Sequence, residues 1–126
     1  MEVTVLILYD GSFLIPTSGN ASHEIFSDIG LIDNISDTGN RQISIEVVNK
    51  YDADILFIMD YDGKPKSFFL QNPLIASLNA VKNNRAYFVE TYKWHPGGIL
   101  GLNRMLDDIF ARRYFEVFAK NLHVLP

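Results

Sequence analysis

The run of five apolar residues at positions 55–59, Ile-Leu-Phe-Ile-Met, is the feature of the sequence that most restricts the fold. A strand with one face in water alternates apolar and polar side chains, whereas a strand covered on both faces is apolar throughout. The run therefore predicts a central strand of a parallel sheet, with helices packed on both sides. The polar segment at positions 60–63, Asp-Tyr-Asp-Gly, predicts a turn where this strand ends.

The N-terminal part of the chain predicts a hairpin followed by a helix. Residues 3–9 are apolar and β-branched, which is typical of a strand. Asp10 and Gly11 form a tight-turn pair that would send residues 13–15 back as an antiparallel neighbour. A helix is expected next, and Gly30 lies where a left-handed residue would end it.

Two further helix starts can be located from capping residues. Ser44 is expected to cap one helix, with Glu46 in the first turn, where the helix dipole favours an anion. Asn72 is expected to cap another over residues 73–84, because Pro73 needs no backbone donor at the first helical position. Both helices would lie between strands, as crossover connections do.

A strand over residues 86–89, a loop over residues 91–98 and a helix over residues 98–115 complete the pattern. Strands that alternate with helices imply right-handed crossovers and a layered α/β architecture. The sequence thus predicts a single α/β domain over residues 1–126, built as a three-layer sandwich. Its mainly parallel sheet would have four or five strands, an antiparallel N-terminal hairpin and helices on both faces.

Composition and charge exclude several classes of function. A chain of 126 residues can bury a core of its own, and a net charge of −4 argues against nucleic-acid binding. No apolar run approaches the length of a membrane span. The absence of Cys excludes disulfides and thiolate metal sites, and the three histidines are scattered. No metal site is therefore expected in the protein itself.

The segment at positions 60–63 also resembles the first motif of haloacid-dehalogenase-type phosphotransferases. Asp60 would be the nucleophile and Asp62 the acid and base. Thr91 and the acidic pair at positions 107–108 would have to supply the later motifs, but that pair lies within an amphipathic helix pattern rather than on a loop. Too little chain follows Asp62 for the rest of such a core, so no catalytic residue is assigned.

Four phrases carry a second resemblance: ISIEVVNKYDADILFIMD at positions 43–60, SLNAVKNNRAYFVE at 77–90, WHPGG at 94–98 and MLDDIF at 105–110. In this order they resemble the C-terminal lobe of the iron-siderophore and cobalamin type of periplasmic substrate-binding proteins, the class III proteins with a helical backbone that serve ABC importers. The likeness covers most of the chain, from about residue 3 to residue 110.

The resemblance implies two α/β lobes, joined by one long helix, that close on a ferric siderophore or related iron chelate. It implies no chemistry on the ligand and no cofactor, since the iron would be held by its chelator. An ABC permease and an N-terminal lobe are the implied partners. Met1 leads directly into a strand, so the signal sequence and first lobe would precede it in a longer precursor. The implied location is periplasmic or extracellular, with a membrane-anchored lipoprotein left open.

Large aromatic residues lie at or just beyond the predicted carboxyl ends of strands, where open α/β sheets bind ligands. Two basic residues lie nearby in sequence, and an Arg fork or a Lys charge suits an anionic ferric complex. The expected ligand-binding residues are Tyr9, Tyr61, Tyr92, Trp94, Arg41 and Lys93. A stand-alone interaction domain that uses the same aromatic edge for a protein partner is the main alternative, and the phosphotransferase is the second.

Overall fold

The fold is organised around one mixed β-sheet. The computed structural model describes residues 1–17, 26–28, 30–36, 41–89 and 91 of the chain. Within them the strands are β1 Glu2–Tyr9, β2 Ser12–Leu14, β3 Ile32–Asp33, β4 Gln42–Ile43, β5 Ile55–Asp60 and β6 Ala86–Val89. Their order across the sheet is β4-β2-β1-β5-β6, and β3 pairs with β1 at its first residues.

Strand directions agree with the predicted α/β class. β1, β5 and β6 run parallel, whereas β2 is antiparallel to both β1 and β4. The described part of the chain thus has six strands rather than four or five, because two strands of only two residues, β3 and β4, join the sheet. The helical elements are a 3₁₀ helix Ile45–Tyr51, α1 Lys66–Leu70, α2 Pro73–Ala76 and α3 Asn79–Lys82, and residues 26–28 are also helical.

The core lies on both faces of the sheet. One face buries Val3, Val5, Ile7, Phe26, Leu31, Ile55, Phe57, Met59 and Val89. The other buries Leu6, Leu8, Ile15, Val48, Tyr51, Leu56, Ile58, Phe69, Ile75, Leu78 and Ala80. Phe26 belongs to the short helical stretch, and the 3₁₀ helix and α1 to α3 contribute to the second cluster. Helices therefore cover both faces, which confirms the predicted layering.

β5 is the central strand that its apolar sequence predicts. It lies between β1 and β6, and its side chains alternate between the two core clusters. Phe57 is fully buried and stacks on Phe26 with ring centroids 5.7 Å apart. Ile58, on the opposite face, is also fully buried. An apolar side chain at every position is thus required by burial on both sides.

The two predicted glycine-dependent turns are confirmed. Asp10 and Gly11 have φ of 49° and 75°, and Tyr9 pairs with Ser12, which is a two-residue hairpin with a left-handed turn. Gly30 has φ of 86°, and the N–H of Leu31 donates to the carbonyl of Phe26 at 2.8 Å. That bond closes the helix end in the expected way.

The prediction of a single helix over residues 73–84 is wrong. α2 does begin as predicted, since the Asn72 side chain accepts from the N–H of Leu74 at 2.9 Å. The chain is extended at Leu78, however, and α3 begins separately at Asn79, whose N–H donates to both carboxylate oxygens of Asp52 at 3.0 Å. A capping group from elsewhere in the chain thus starts a new helix.

The capping role predicted for Ser44 is also wrong. Ser44 occupies the N-cap position, but its hydroxyl makes no cap hydrogen bond and instead donates to the Glu46 carboxylate. This hydrogen bond is the main reason that the pKa of Glu46 lies below its ordinary value. The element that follows is a 3₁₀ helix rather than an α-helix.

Several predictions concern residues outside the described part of the chain. The loop and last helix predicted after Thr91 lie outside the described residues, as does most of the helix predicted before Gly30. In the described part of the chain, no helix is both long enough and apolar enough to cross a bilayer.

Candidate functional site

Tyr9 and Tyr61 form an edge-to-face pair at the carboxyl edge of the sheet, with ring centroids 5.8 Å apart and planes at 76°. Tyr9 ends β1, and Tyr61 follows the last residue of β5. Tyr9 is 57% exposed, whereas Tyr61 is half-buried against the core. The pair therefore presents aromatic surface to solvent at the place where α/β sheets bind ligands.

The strand register brings these two rings together. β1 and β5 are parallel neighbours with Leu8 opposite Asp60, so the next residue on each strand is a tyrosine. The N–H of Tyr61 donates to the carbonyl of Leu8 at 2.8 Å, which extends the ladder by one bond beyond β5. Because the backbone is fixed on both sides, the position of the pair follows from the sheet itself.

Arg41 directly precedes β4, at the amino end of that strand. Its carbonyl accepts from the N–H of Ile15 at 2.7 Å, and its side chain is exposed. Burial raises the pKa of Tyr61 above its ordinary value, and the positive charge of Arg41 opposes that shift. Arg41 and Tyr61 are therefore coupled electrostatically. Of the six predicted ligand-binding residues, Tyr9 and Tyr61 are thus in direct ring contact.

Asp60 and Asp62 hold the backbone of the edge. Asp60 Oδ1 accepts from the N–H of Asp62 at 2.8 Å, and Oδ2 accepts from the N–H of Lys64 at 2.6 Å. The Asp62 carboxylate accepts from the N–H groups of Asp10 and Gly11, each at 2.8 Å. Both oxygens of each carboxylate are engaged by the turn, as expected for structural acids. This geometry supports the predicted turn over the phosphotransferase interpretation.

An open pocket of about 370 Å³ lies where β5 and β6 end. Its lining includes Ile58, Phe88 and Val89 as apolar groups and Lys64 and Lys66 as cations. The sequence prediction missed both lysines, because exposed Lys residues after a turn are typical of a solvated surface. The available signal was their position, since both follow the same strand end as Tyr61.

Tyr92, Lys93 and Trp94 lie outside the described residues. They follow Thr91, which lines the pocket at the end of β6. Their assignment as ligand-binding residues stays a prediction from the sequence.

The described part of the chain is an α/β lobe with a mixed sheet, helices on both faces and an aromatic pair at its carboxyl edge. Residues 2–92 match the periplasmic binding protein family. Because this match covers well over half of the chain, the chain belongs to that family.

Two relatives extend the likeness beyond the family match. The Fe(3+)-citrate-binding protein YfmC of Bacillus subtilis is 36% identical over 106 residues, which are 82% of this chain and 34% of that protein. The achromobactin-binding periplasmic protein of Dickeya dadantii is 30% identical over 102 residues, which are 72% of this chain and 33% of that protein. The chain thus spans about a third of the length of these curated relatives.

Solved structures show the same fold at lower identity. The FhuD protein of S. pseudintermedius superposes with a TM-score of 0.70 at 19% identity, over 86% of this chain and 42% of that one. SirA of Staphylococcus aureus superposes with a TM-score of 0.69 at 22% identity, over 87% of this chain and 47% of that one. At such identities the match establishes the fold alone.

Proposed function

We propose that this chain is the C-terminal lobe of the solute-binding component of an ABC importer. It binds a ferric siderophore or related iron chelate in a cleft between two lobes. The ligand lies against the carboxyl edge of the sheet, where Tyr9 and Tyr61 meet. Arg41, Tyr92, Lys93 and Trp94 complete this side of the cleft.

The observation that carries the proposal is the Tyr9–Tyr61 pair at that edge. The electrostatic effect of Arg41 on Tyr61 adds a positive charge to the proposed surface. Rings with one apolar face and one polar tip can cover the outside of a chelate, and a guanidinium can bind its carboxylate or hydroxamate oxygens. The names of four relatives support the ligand class, since they describe the binding of ferric citrate, achromobactin, ferric anguibactin and ferric hydroxamate.

The proposed partners follow from the same class of protein. They are the small iron chelate, an N-terminal lobe of the same protein and an ABC permease that receives the ligand. The location is periplasmic or extracellular. The protein performs no chemistry on the ligand, because the iron is held by its chelator and the Asp60 and Asp62 carboxylates are engaged in the turn.

Calorimetric titration with ferric citrate, a ferric hydroxamate and a ferric catecholate tests the proposal. The chain alone should bind weakly, because one lobe buries only part of the ligand and gains little to offset the entropy of association. Joined to its N-terminal lobe, it should bind at least one chelate in the micromolar range or tighter. Quenching of Trp94, the one tryptophan of the chain, should accompany binding.

Arg41→Ala should weaken binding of anionic chelates by roughly tenfold, as loss of one charge-assisted hydrogen bond does. Arg85→Ala is the matched control, since Arg85 precedes β6 and lies at the opposite end of the sheet. An unchanged Trp94 signal and no measurable heat with every chelate would overturn the proposal. That result would favour the interaction-domain alternative.

A further inference from the structure

We propose that the pocket where β5 and β6 end is an oxyanion subsite, in which Lys64 and Lys66 bind a carboxylate arm of the iron chelate. This inference rests on the proposed function and narrows it. Among ferric chelates, the site selects those that carry negative charge over neutral hydroxamate complexes.

The size and lining of the pocket suit part of a small ligand. A volume of about 370 Å³ is at the lower end of the range for small-molecule sites. Ile58 and Val89 are buried and Phe88 is half-buried, so this part of the lining is apolar. Lys64 and Lys66 are exposed, so their charges face the solvent from which a ligand would enter. An apolar lining with two cations favours an anionic group attached to a larger organic molecule.

Among the described residues that line the pocket, there are two lysines and one aspartate. Asp60 is the acidic residue of its lining, and both Asp60 oxygens accept backbone N–H groups, at 2.8 Å from Asp62 and 2.6 Å from Lys64. A carboxylate engaged in this way neutralises the two ammonium groups less than a free one would. The subsite therefore keeps an attraction for an additional anion.

Aromatic rings lie next to both ammonium groups. Lys64 Nζ lies 5.4 Å from the centroid of the Phe68 ring, and Lys66 Nζ lies 5.3 Å from that of Phe88. Cation–π contacts restrict the long side chains but leave the outer donors of each ammonium available. Each lysine can therefore donate to a carboxylate oxygen of a ligand.

The loop that carries the lysines is fixed before any ligand arrives. The Asp60 carboxylate accepts from the backbone N–H of Lys64, which closes the turn. Gly63 has a φ of 71°, a left-handed conformation that allows the turn to be tight. Pro65 then separates the lysines and restricts the residue before it to extended conformations. Binding thus needs little ordering of the loop backbone, which favours affinity.

The test compares charge-neutralising variants of the protein carrying both lobes. Calorimetry would measure the dissociation constants of ferric citrate, an anionic carboxylate chelate, and of ferrichrome, a neutral ferric hydroxamate. Lys64→Gln and Lys66→Gln should each weaken ferric citrate binding by about fivefold to tenfold, and ferrichrome binding by less than about twofold. Lys82→Gln is the control, because Lys82 precedes β6 at the other end of the sheet. Added salt should reduce the preference for ferric citrate.

The possible failures can be told apart. If the two-lobe protein binds both chelates and the lysine variants change neither affinity, or both equally, the subsite is wrong while the proposed function stands. Binding of ferrichrome alone would also overturn the subsite. If the unmodified protein binds no chelate, the proposed function fails and the subsite fails with it. Circular dichroism of each variant would show that the fold is retained.

Discussion

The carboxylate of Asp62 accepts a 2.8 Å hydrogen bond from the backbone N–H of Gly11, across the carboxyl edge of the sheet. Its other oxygen accepts from Asp10, also at 2.8 Å. The loop after β5 is thereby fastened to the turn between β1 and β2. Since Tyr9 precedes Asp10 and Tyr61 precedes Asp62, this contact also holds the two rings of the proposed ligand surface side by side.

Removal of the Asp62 carboxylate should weaken the contact between the loop after β5 and the hairpin turn. Asp62→Ala should lower the free energy of unfolding by about 1–2 kcal/mol, because two backbone donors lose a charged acceptor. Asp62→Asn should lose less, since the amide oxygen can still accept one bond. Urea denaturation measures the stability, and nuclear Overhauser contacts between the Tyr9 and Tyr61 rings report on the pair.

Asp54→Ala is the control for this prediction. The Asp54 carboxylate accepts from the N–H of Glu2 at 2.9 Å, at the amino end of the same strands. Its removal should reduce stability without changing contacts between the tyrosine rings. If Asp62→Ala leaves both the stability and the ring contacts unchanged, the hairpin contact does not position the pair.

Titration of the tyrosines tests the electrostatic coupling of Arg41 to Tyr61. Burial raises the pKa of Tyr61 and Arg41 opposes the rise, so Arg41→Ala should raise that pKa further. Burial likewise raises the pKa of Tyr87, and the positive charge of Arg85 opposes that rise. Arg85→Ala should therefore raise the pKa of Tyr87 and leave that of Tyr61 unchanged. NMR titration with tyrosine labelled at Cζ separates the two. A shift of Tyr61 in the Arg85 variant, or none in the Arg41 variant, contradicts this coupling.

The same pKa shift sets the sign of a stability change. A phenol whose pKa is raised by folding stabilises the folded state while protonated. That contribution is present below the ordinary tyrosine pKa and is lost as pH rises through the raised value. Above the ordinary tyrosine pKa, the stability of Tyr61→Phe should therefore fall less steeply with pH than that of the unmodified protein. Urea denaturation midpoints measured across this pH range would show the difference.

Sequence patterns succeeded where structure is decided locally or by burial on both faces. The uninterrupted apolar run of β5 predicted a central strand, and Asp10-Gly11 predicted a hairpin whose φ values are positive at both residues. Tyr9 and Tyr61 could be placed on one edge because Tyr9 ends one correctly predicted strand and Tyr61 follows another. These predictions needed no knowledge of distant contacts.

The predictions that failed depend on partners far along the chain. The break between α2 and α3 is stabilised by Asp52, which lies 27 residues before Asn79 in sequence. No local pattern distinguishes that acid from a solvated one. The pocket lysines were missed for a similar reason, because Lys66 and Phe88 meet only after β5 and β6 pair.

The helix cap at Asn72 offers a local stability test. Its side-chain oxygen accepts from the N–H groups of Leu74 at 2.9 Å and Ile75 at 3.4 Å. Asn72→Ala should lower the free energy of unfolding by about 1 kcal/mol. Asn72→Asp should retain most of this stabilisation, because the Asp carboxylate can also accept from the helix N–H groups. Asn83→Ala is the control, since Asn83 is exposed and follows α3. Equal urea midpoints for Asn72→Ala and Asn72→Asp would argue against the cap.

Asp60 provides the direct test between a structural turn and a phosphotransferase nucleophile. A nucleophilic carboxylate needs an oxygen free to attack phosphorus, whereas both Asp60 oxygens accept backbone N–H groups. We therefore expect no hydrolysis of p-nitrophenyl phosphate above background in magnesium-containing buffer, for the unmodified protein or for Asp60→Asn. The same substitution should lower stability, because the Asn side chain keeps only one acceptor for the two donors. Turnover by the unmodified protein that disappears in Asp60→Asn would establish the catalytic alternative.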